Sequence, residues 1–323
     1  MKGLDASDVR FFSGSSHPQL AADIASYLSV PLDETTIGRF SNDNLTVQLG
    51  ASVRGRRVYL VQSLSPPVND HLMELLMMLD IARSAAAKEV HAIVPYFSFA
   101  RSDKKDAPRI SITARLIADL MQTAGATHFM TMMLHSPQVH GFFGIPADPL
   151  TARHIFHRYF EGKDLTQAIV VSPDVGHAKS AGRFAESLGL PVAAGNKERL
   201  SDTEVRITGL VGRQVKGFRR ALIYDDEIAT GSSIVEMSEL LVDSGIEQIY
   251  AVCTHGVFVR NALRRLGTVP EIVEIVTSDT VRISNDDRPD NLVVLSVAPI
   301  FGEAIRRNYH RLSIEGLFAY GDD

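Results

Sequence analysis

Apolar positions along the chain follow two spacings that recur from end to end. Short runs rich in β-branched residues, such as Arg57–Gln62, indicate strands. Longer stretches carry apolar residues at helical spacing, and Asn69–Ala87 predicts a helix with one buried face formed by Leu72, Leu75, Leu76 and Leu79. Asn69 or Asp70 is the predicted cap of that helix. The chain therefore alternates between predicted strands and predicted amphipathic helices.

The same patterns predict the other elements. Further strands are predicted at Val90–Tyr96, Thr127–Leu134, Ala168–Val171, Pro191–Ala194, Arg220–Tyr224, Ile249–Thr254, Glu271–Val276 and Asn291–Val297. Further helices are predicted at Ser111–Thr123 (with Ser111 as its cap), His177–Leu188, Gly231–Ser244 and Ile300–Tyr309. This alternation favours an α/β protein with mainly parallel sheets flanked by helices. The alternation of strands and helices restarts after the Gly/Pro-rich stretch Gly141–Pro149, which predicts two tandem domains, 1–150 and 151–323. The final helix could pack on the N-terminal domain.

The composition of the chain argues against several classes of protein. The 323 residues carry a net charge of −5, which gives no global basic field for nucleic acid. The one cysteine, Cys253, excludes an internal disulfide and a Cys-rich zinc site. The charged N-terminus and the lack of a long apolar run predict a cytoplasmic protein with no membrane partner.

The most informative stretch is Ala221–Ser233, ALIYDDEIATGSS. An apolar strand leads into Asp225 and Asp226, and a short turn then carries Thr230, Gly231, Ser232 and Ser233 into a helix. Ligands of parallel sheets bind beyond the carboxyl ends of the strands. Gly231 allows close approach of a ligand, and the amides and hydroxyls at the helix start can cradle a phosphate. An acidic turn followed by a serine cap is the competing interpretation.

This element resembles the phosphate-binding turn of type I phosphoribosyltransferase-like folds, and other stretches narrow the resemblance. They match ribose-phosphate pyrophosphokinases in order and spacing across essentially the whole chain: Gly14–Pro18, Val68–Leu76, Pro95–Arg101, Lys104–Asp106, Gly141–Pro146, Ser172–Gly176, Lys197–Arg199, Thr254–Phe258 and Ser296–Pro299. The resemblance implies two tandem phosphoribosyltransferase-like domains. It also implies transfer of the diphosphoryl group of Mg-ATP to ribose 5-phosphate, giving phosphoribosyl pyrophosphate and AMP.

The resemblance also assigns roles to residues. Phe40, Asn42, Asn44, Arg101, Ser102 and His135 match the ATP side, where adenine stacks on the phenylalanine. Asp225, Asp226, Thr230, Gly231, Ser232 and Ser233 match the ribose 5-phosphate side. His135 and Asp174 match ligands of Mg²⁺, although a histidine at a strand end is by itself more often structural. The implied assembly is a homo-oligomer built from dimers, possibly a hexamer, to which Phe142, Phe143 and Ile145 could contribute if they do not serve the core.

Asn196–Arg206 lacks apolar periodicity and predicts a mobile loop. Lys197 and Arg199 face the same way in an extended segment, and the resemblance makes them, with Arg101, the catalytic cations. Without the resemblance, a solvated charge run is the simpler interpretation. The same alternative holds for Lys104, Lys105 and Asp106.

Several positions depart from the family pattern. Met133, Ala229 and Gly144 stand where the family usually has aspartate, Ser102 where it has glutamine, and Asn44 where it has glutamate. Two alternatives to the synthetase therefore stay open: a regulatory paralogue with little or no activity, and a phosphoribosyltransferase acting on a base. The second accounts for the turn at 230–233 but not for Phe40 and Arg101.

Overall fold

The computed structural model describes residues 3–199, 205–212, 215–284 and 288–318, and for 197–199, 205–208 and 210–212 the backbone alone. The chain divides into two compact units. Unit 1 comprises Met1–Thr151, Thr280–Arg282 and Ser296–Asp323, and unit 2 comprises Ala152–Asp279 and Ile283–Leu295. Among the residues described, no helix combines the length and apolar character that crossing a membrane requires.

Unit 1 is built on a five-stranded parallel sheet in the order β1-β4-β5-β6-β7. Its strands are β1 (Val9–Ser13), β4 (Arg57–Val61), β5 (Glu89–Val94), β6 (His128–Met132) and β7 (Ala147–Leu150). An antiparallel hairpin of β2 (Thr35–Arg39) and β3 (Leu45–Leu49) lies outside this sheet. The helices are α1 (Pro18–Leu28), α2 (Val68–Ser84), α3 (Thr113–Ala124) and, much later in the chain, α8 (Ala298–Tyr309).

Side chains alternate across the sheet of unit 1 and bury both of its faces. Val58 and Leu60 of β4 pack in one core with residues of α2 and α3 such as Leu79 and Met121. Tyr59 points to the opposite face and stacks on Phe11. On that face the Arg57 guanidinium lies 5.0 Å from the ring centroid of Tyr309 of α8, and α8 packs against α1. Burial on both faces explains why these strands are almost continuously apolar.

Unit 2 is built on a seven-stranded sheet in the order β10-β9-β8-β11-β12-β13-β14. The strands are β8 (Ala168–Ser172), β9 (Val192–Arg199), β10 (Val205–Gly212), β11 (Arg220–Ile228), β12 (Gln248–Gly256), β13 (Ile272–Ser278) and β14 (Leu292–Leu295). All neighbours are parallel except β9 and β10. Its helices are α4 (Arg153–Glu161), α5 (Ala178–Ser187), α6 (Ser232–Asp243) and α7 (Ala262–Leu266).

The sheet of unit 2 separates an aliphatic core from an aromatic one. Ile223 of β11 and Cys253 of β12 share the aliphatic core with Met237 and Leu241 of α6. On the other face, Phe184 of α5 stacks on Tyr224, with ring centroids 4.5 Å apart, and Phe160 of α4 contacts Phe184 and Tyr250 edge-on. The predicted α/β class with mainly parallel sheets flanked by helices is confirmed.

Both predicted helix caps are wrong. Helix α2 begins after Pro67, without a side-chain cap, and Asp70 instead forms an ion pair with Arg39 at 2.7 Å. Helix α3 begins at Thr113, and its first amide donates to the hydroxyl of Ser102 at 3.2 Å, not to Ser111. Asp70 is thus engaged by Arg39, and the first amide of α3 finds its acceptor 11 residues earlier in the chain.

Two other predictions need correction. The strand predicted at Arg220–Tyr224 continues to Ile228, so Asp225 and Asp226 lie within β11 and not after it. The loop predicted over Asn196–Arg206 is wrong at its ends, because 196–199 belong to β9 and 205–206 to β10, which pair as antiparallel strands. Residues 200–204 lie outside the described part of the chain.

Candidate active site

The carboxylates of unit 2 meet at the end of its parallel sheet. β8 ends at Ser172 and leads to Asp174, while the neighbouring strand β11 carries Asp225 and Asp226. Asp174 caps a short turn by accepting the amide of His177 at 3.1 Å. This turn brings the imidazole of His177 among all three carboxylates.

His177 is the centre of this acidic cluster. Its Nδ1 lies 3.3 Å from Asp174 Oδ1 and 3.7 Å from Asp225 Oδ1, and its Nε2 lies 3.3 Å from Asp226 Oδ1. Burial acts to lower the pKa of His177, but the hydrogen bond to Asp174 and the charges of Asp226 and Asp225 raise it to about 9. Burial and the adjacent Asp226 raise the pKa of Asp225 well above its ordinary value. The three carboxylates therefore concentrate negative charge at this place in the fold, which favours the binding of a cation.

The donor set fits a divalent cation of the Mg²⁺ type. Mg²⁺ prefers carboxylate and water oxygens, and protein sites for it commonly supply only one or two carboxylates. Asp174 keeps 26% of its side chain exposed and Asp225 keeps 14%, so both carboxylates are accessible from solvent.

The turn after β11 presents its hydroxyls to solvent. Gly231 has φ of 77°, a left-handed conformation that glycine adopts without steric cost, and it is the residue that precedes α6. Thr230, Ser232 and Ser233 are partly exposed, whereas Gly231 is buried. The turn thus lies at the surface of unit 2 and not in its hydrophobic interior.

Backbone carbonyls of this turn are held on one side. The amides of Val257 and Phe258 both donate to Ile228 O at 3.1 Å, and Val259 N–H donates to Ala229 O at 2.9 Å. In a trans peptide the N–H points opposite to the C=O. The amides of residues 229 and 230 are therefore directed away from the 257–259 segment, and within the described chain no backbone acceptor contacts them. Together with the start of α6, they form an array of donors suited to an anion.

In unit 1, the predicted adenine loop is the turn of the β2–β3 hairpin. Phe40 exposes 62% of its surface, an unusual state for a large aromatic residue. The turn is held by hydrogen bonds from Phe40 N–H to Asn44 O (2.9 Å) and from Asn44 N–H to Asn42 Oδ1 (3.3 Å). Arg39 adds a bond to Asp43 Oδ1 at 2.9 Å, besides its ion pair with Asp70. The ring of Phe40 is thus exposed on a turn that these hydrogen bonds hold in place.

Other residues predicted for ATP follow β5 and β6 in the same unit. Arg101 ends a short 3-10 turn, Ser98–Arg101, and is exposed. The hydroxyl of Ser102 donates to Ser111 O at 3.2 Å, which closes the loop that carries Lys104 and Asp106. His135 lies three residues beyond the end of β6 and is half-buried. Phe142, Phe143 and Ile145 pack against the core of unit 1.

Lys197 and Arg199 have described backbone only, at the end of β9. The strand places them two residues apart, as an extended segment requires, and their catalytic role stays a prediction. The sequence did not single out His177, because it appears there only as the first residue of a predicted helix. Two of its three acidic neighbours, Asp225 and Asp226, lie on another strand, so the local pattern around His177 did not reveal the cluster.

The parallel sheets and the glycine turn between β11 and α6 define the chain as phosphoribosyltransferase-like in fold. A family model for the N-terminal domain of ribose phosphate pyrophosphokinase matches residues 9–125, and one for the phosphoribosyl synthetase-associated domain matches 206–319. A putative ribose-phosphate pyrophosphokinase of Streptomyces coelicolor is 49% identical over 96% of this chain and 98% of its own. The ribose-phosphate pyrophosphokinase of Clostridium acetobutylicum is 42% identical over 96% of this chain and 97% of its own.

A crystal structure provides the matching comparison in three dimensions. Phosphoribosylpyrophosphate synthetase from Mycobacterium smegmatis superposes with a TM-score of 0.88 at 36% identity, covering 94% of this chain and 99% of that one. The chain belongs to the ribose-phosphate pyrophosphokinase family. The family resemblance inferred from the sequence motifs is confirmed.

Proposed function

We propose that this enzyme transfers the diphosphoryl group of Mg-ATP to the anomeric hydroxyl of ribose 5-phosphate. The products are phosphoribosyl pyrophosphate, which supplies nucleotide biosynthesis, and AMP. The observation that carries the proposal is the turn at 229–233, whose amides and hydroxyls are suited to an anion and which directly follows the strand that carries Asp225 and Asp226. A five-carbon sugar phosphate needs such a combination, with donors for the phosphate and carboxylates for its hydroxyls.

The reaction exchanges one phosphorus–oxygen bond for another. The anomeric oxygen forms a bond to the β-phosphorus of ATP while the bond from that phosphorus to the α–β bridging oxygen breaks. The bridging oxygen leaves on AMP, and the hydroxyl proton passes to solvent. Little covalent chemistry is asked of the protein, so positioning and charge stabilisation dominate.

Residues of unit 2 are assigned to the sugar phosphate. Thr230, Gly231, Ser232 and Ser233 bind the 5-phosphate, and Asp225 and Asp226 hold the ribose hydroxyls. Mg²⁺, when bound, would supply positive charge to neutralise the phosphates during transfer. His135 is the proposed ligand of a cation on the ATP side, and Asp174 is the proposed ligand of a second cation, an assignment that the accessibility of Asp174 supports.

Residues of unit 1 and of β9 are assigned to ATP. The exposed ring of Phe40 stacks on the adenine, with Asn42 and Asn44 at its edge, and Arg101 and Ser102 bind the phosphates. Lys197 and Arg199 offset the charge that develops on the migrating group. Because the family resemblance implies a site completed by a neighbouring subunit, we also propose a homo-oligomer built from dimers, up to a hexamer, which light scattering after size exclusion tests.

The decisive experiment is to incubate the purified protein with ribose 5-phosphate, ATP and Mg²⁺ and identify the nucleotide product. AMP formed only when the sugar phosphate is present supports the proposal, whereas ADP contradicts it. Tight ATP binding without any turnover would instead favour a regulatory paralogue, for which the departures Met133 and Ala229 are the specific observation. Consumption of phosphoribosyl pyrophosphate with a free base would favour a base phosphoribosyltransferase.

A further inference from the structure

A single arginine fastens the turn that precedes α6. Arg265 belongs to the short helix α7, 33 residues beyond Ser232 in sequence. Its Nη1 donates to Thr230 O at 2.7 Å and to Ser232 Oγ at 2.8 Å. Both distances are typical of strong charge-assisted hydrogen bonds. Local sequence around the turn gives no indication of this partner.

The bond to Thr230 O completes the immobilisation of the turn. The carbonyls of Ile228 and Ala229 accept hydrogen bonds from the amides of 257–259, and the carbonyl of Thr230 accepts one from Arg265. Because Thr230 O accepts from Arg265, the N–H of Gly231 in the same peptide is directed away from Arg265. Three successive amides, at 229, 230 and 231, then point away from their anchors, so a bound anion meets donors whose orientation is fixed beforehand.

The bond to Ser232 determines what its hydroxyl can do. A serine hydroxyl has one proton, and when its oxygen accepts from an arginine that proton must be donated elsewhere. In the described part of unit 2, Thr230 Oγ1 could accept this proton, but it lies 3.4 Å away, which is long for a hydrogen bond between two hydroxyls. Ser232 is therefore oriented as a donor toward a ligand. The guanidinium also places a positive charge directly behind the turn, which favours an anion in front of it.

We infer that Arg265 is a positioning residue for the terminal phosphate of the sugar substrate, acting through Thr230 and Ser232 without being a catalytic residue. This inference rests on the proposed function of the turn as the ribose 5-phosphate cradle. It identifies Arg265 as a determinant of selectivity for a phosphorylated sugar. A purely structural arginine at the end of α7 would contribute to folding but not to the affinity for one substrate.

The test compares Arg265→Ala, Arg265→Lys and the control Arg264→Ala. Arg264 is the adjacent residue of α7 and is exposed, so its loss removes the same charge without touching the turn. Titration calorimetry measures the Kd for ribose 5-phosphate and, separately, for ATP. Steady-state assays of AMP formation measure both KM values and kcat, and thermal melting measures the stability of each variant.

We expect Arg265→Ala to raise the Kd and KM for ribose 5-phosphate about 10- to 100-fold, the scale of a lost charged hydrogen-bond partner. The KM for ATP and kcat at saturating sugar phosphate should stay within about twofold. Arg265→Lys keeps the charge but not the planar fork, and should fall between Arg265→Ala and the wild type. Arg264→Ala should match the wild type. If Arg265→Ala does not fold, the Arg265→Lys comparison carries the same test.

Two results would overturn the inference. One is an unchanged affinity for ribose 5-phosphate in folded Arg265→Ala. The other is an equal loss of affinity for ATP and ribose 5-phosphate accompanied by a lower melting temperature, which indicates a structural role. Failure of the proposed function looks different, because then the wild-type protein itself neither binds ribose 5-phosphate nor forms AMP from it.

Discussion

His17 makes the stability of unit 1 dependent on pH in a way that one substitution can remove. The residue precedes α1, is 8% exposed, and its Nδ1 accepts the amide of Leu20 at 3.1 Å. The ring nitrogen must stay unprotonated to accept that bond. Burial, followed by the nearby charge of Arg282, lowers the pKa of His17 to about 4, and Asp23 opposes this only weakly.

The sign and size of the effect follow from linkage. In the unfolded chain the histidine binds its proton near pH 6.5, whereas in the fold it does so near pH 4. Stability is therefore complete above about pH 6.5 and is lost as the pH falls toward 4, with no further loss below. At about 1.4 kcal/mol per pH unit, this window corresponds to about 3 kcal/mol.

The substitution His17→Asn isolates the titration from the cap. Asparagine is a good N-cap residue and does not titrate, so the first turn of α1 keeps an acceptor. Urea unfolding should be followed by far-UV circular dichroism, because the chain has no tryptophan to report by fluorescence. Between pH 7 and pH 4, the free energy of unfolding of His17→Asn should fall by about 3 kcal/mol less than that of the wild type. His140→Asn, at an exposed histidine, is the control. Parallel pH curves for wild type and His17→Asn would refute the reasoning.

Three further predictions concern activity and packing. Lys197→Ala should lower kcat about 10²- to 10³-fold without changing the melting temperature, and near-normal turnover in the AMP assay would remove Lys197 from the catalytic cations. Phe40→Ala should raise the KM for ATP about 5- to 150-fold, the range of one lost base stack, while Phe40→Tyr and the KM for ribose 5-phosphate serve as controls. Phe184→Ala should destabilise unit 2 by about 3–5 kcal/mol in urea unfolding, since its ring fills the aromatic core against Tyr224. Val175→Ala, at a 56% exposed side chain, should cost far less.

Strand and helix periodicity predicted the central strands of both sheets because those sheets are buried on two faces, but it did not predict β1, β7, β10, α1, α4 or α7. The strands β4, β5, β8, β11 and β12 each contain a run of apolar residues, such as Val58–Val61 in β4 and Ala221–Tyr224 in β11, that is recognisable without their partners. The hairpin of β2 and β3 escaped notice because its strands are only partly buried and lack that continuous apolar character. The predicted helix caps were wrong for a related reason. Asp70 forms an ion pair with Arg39 and does not cap α2, and the hydroxyl of Ser102 accepts the first amide of α3.

The site shows the same limit. The turn from Asp225 to Ser233 could be found from sequence because all its groups are contiguous there, and ligand-binding turns after parallel strands have a recognisable composition. His177 and Arg265 could not be found in this way. Each acts on a strand or turn distant in sequence, and neither histidine in a helix start nor arginine in a short helix is unusual by itself.

Helix α8 gives the chain a constraint on its order of assembly. It follows all of unit 2 in sequence, yet it packs against α1 near the beginning of the chain. Until residues 296–318 emerge from the ribosome, the side of α1 that packs on α8, where Tyr27 lies against Gly302, has no partner helix. Synthesis from the N-terminus therefore finishes unit 2 before unit 1. A truncation that removes only the C-terminus should leave an aggregation-prone N-terminal half, and a chaperone that holds nascent chains would find its binding surface on α1.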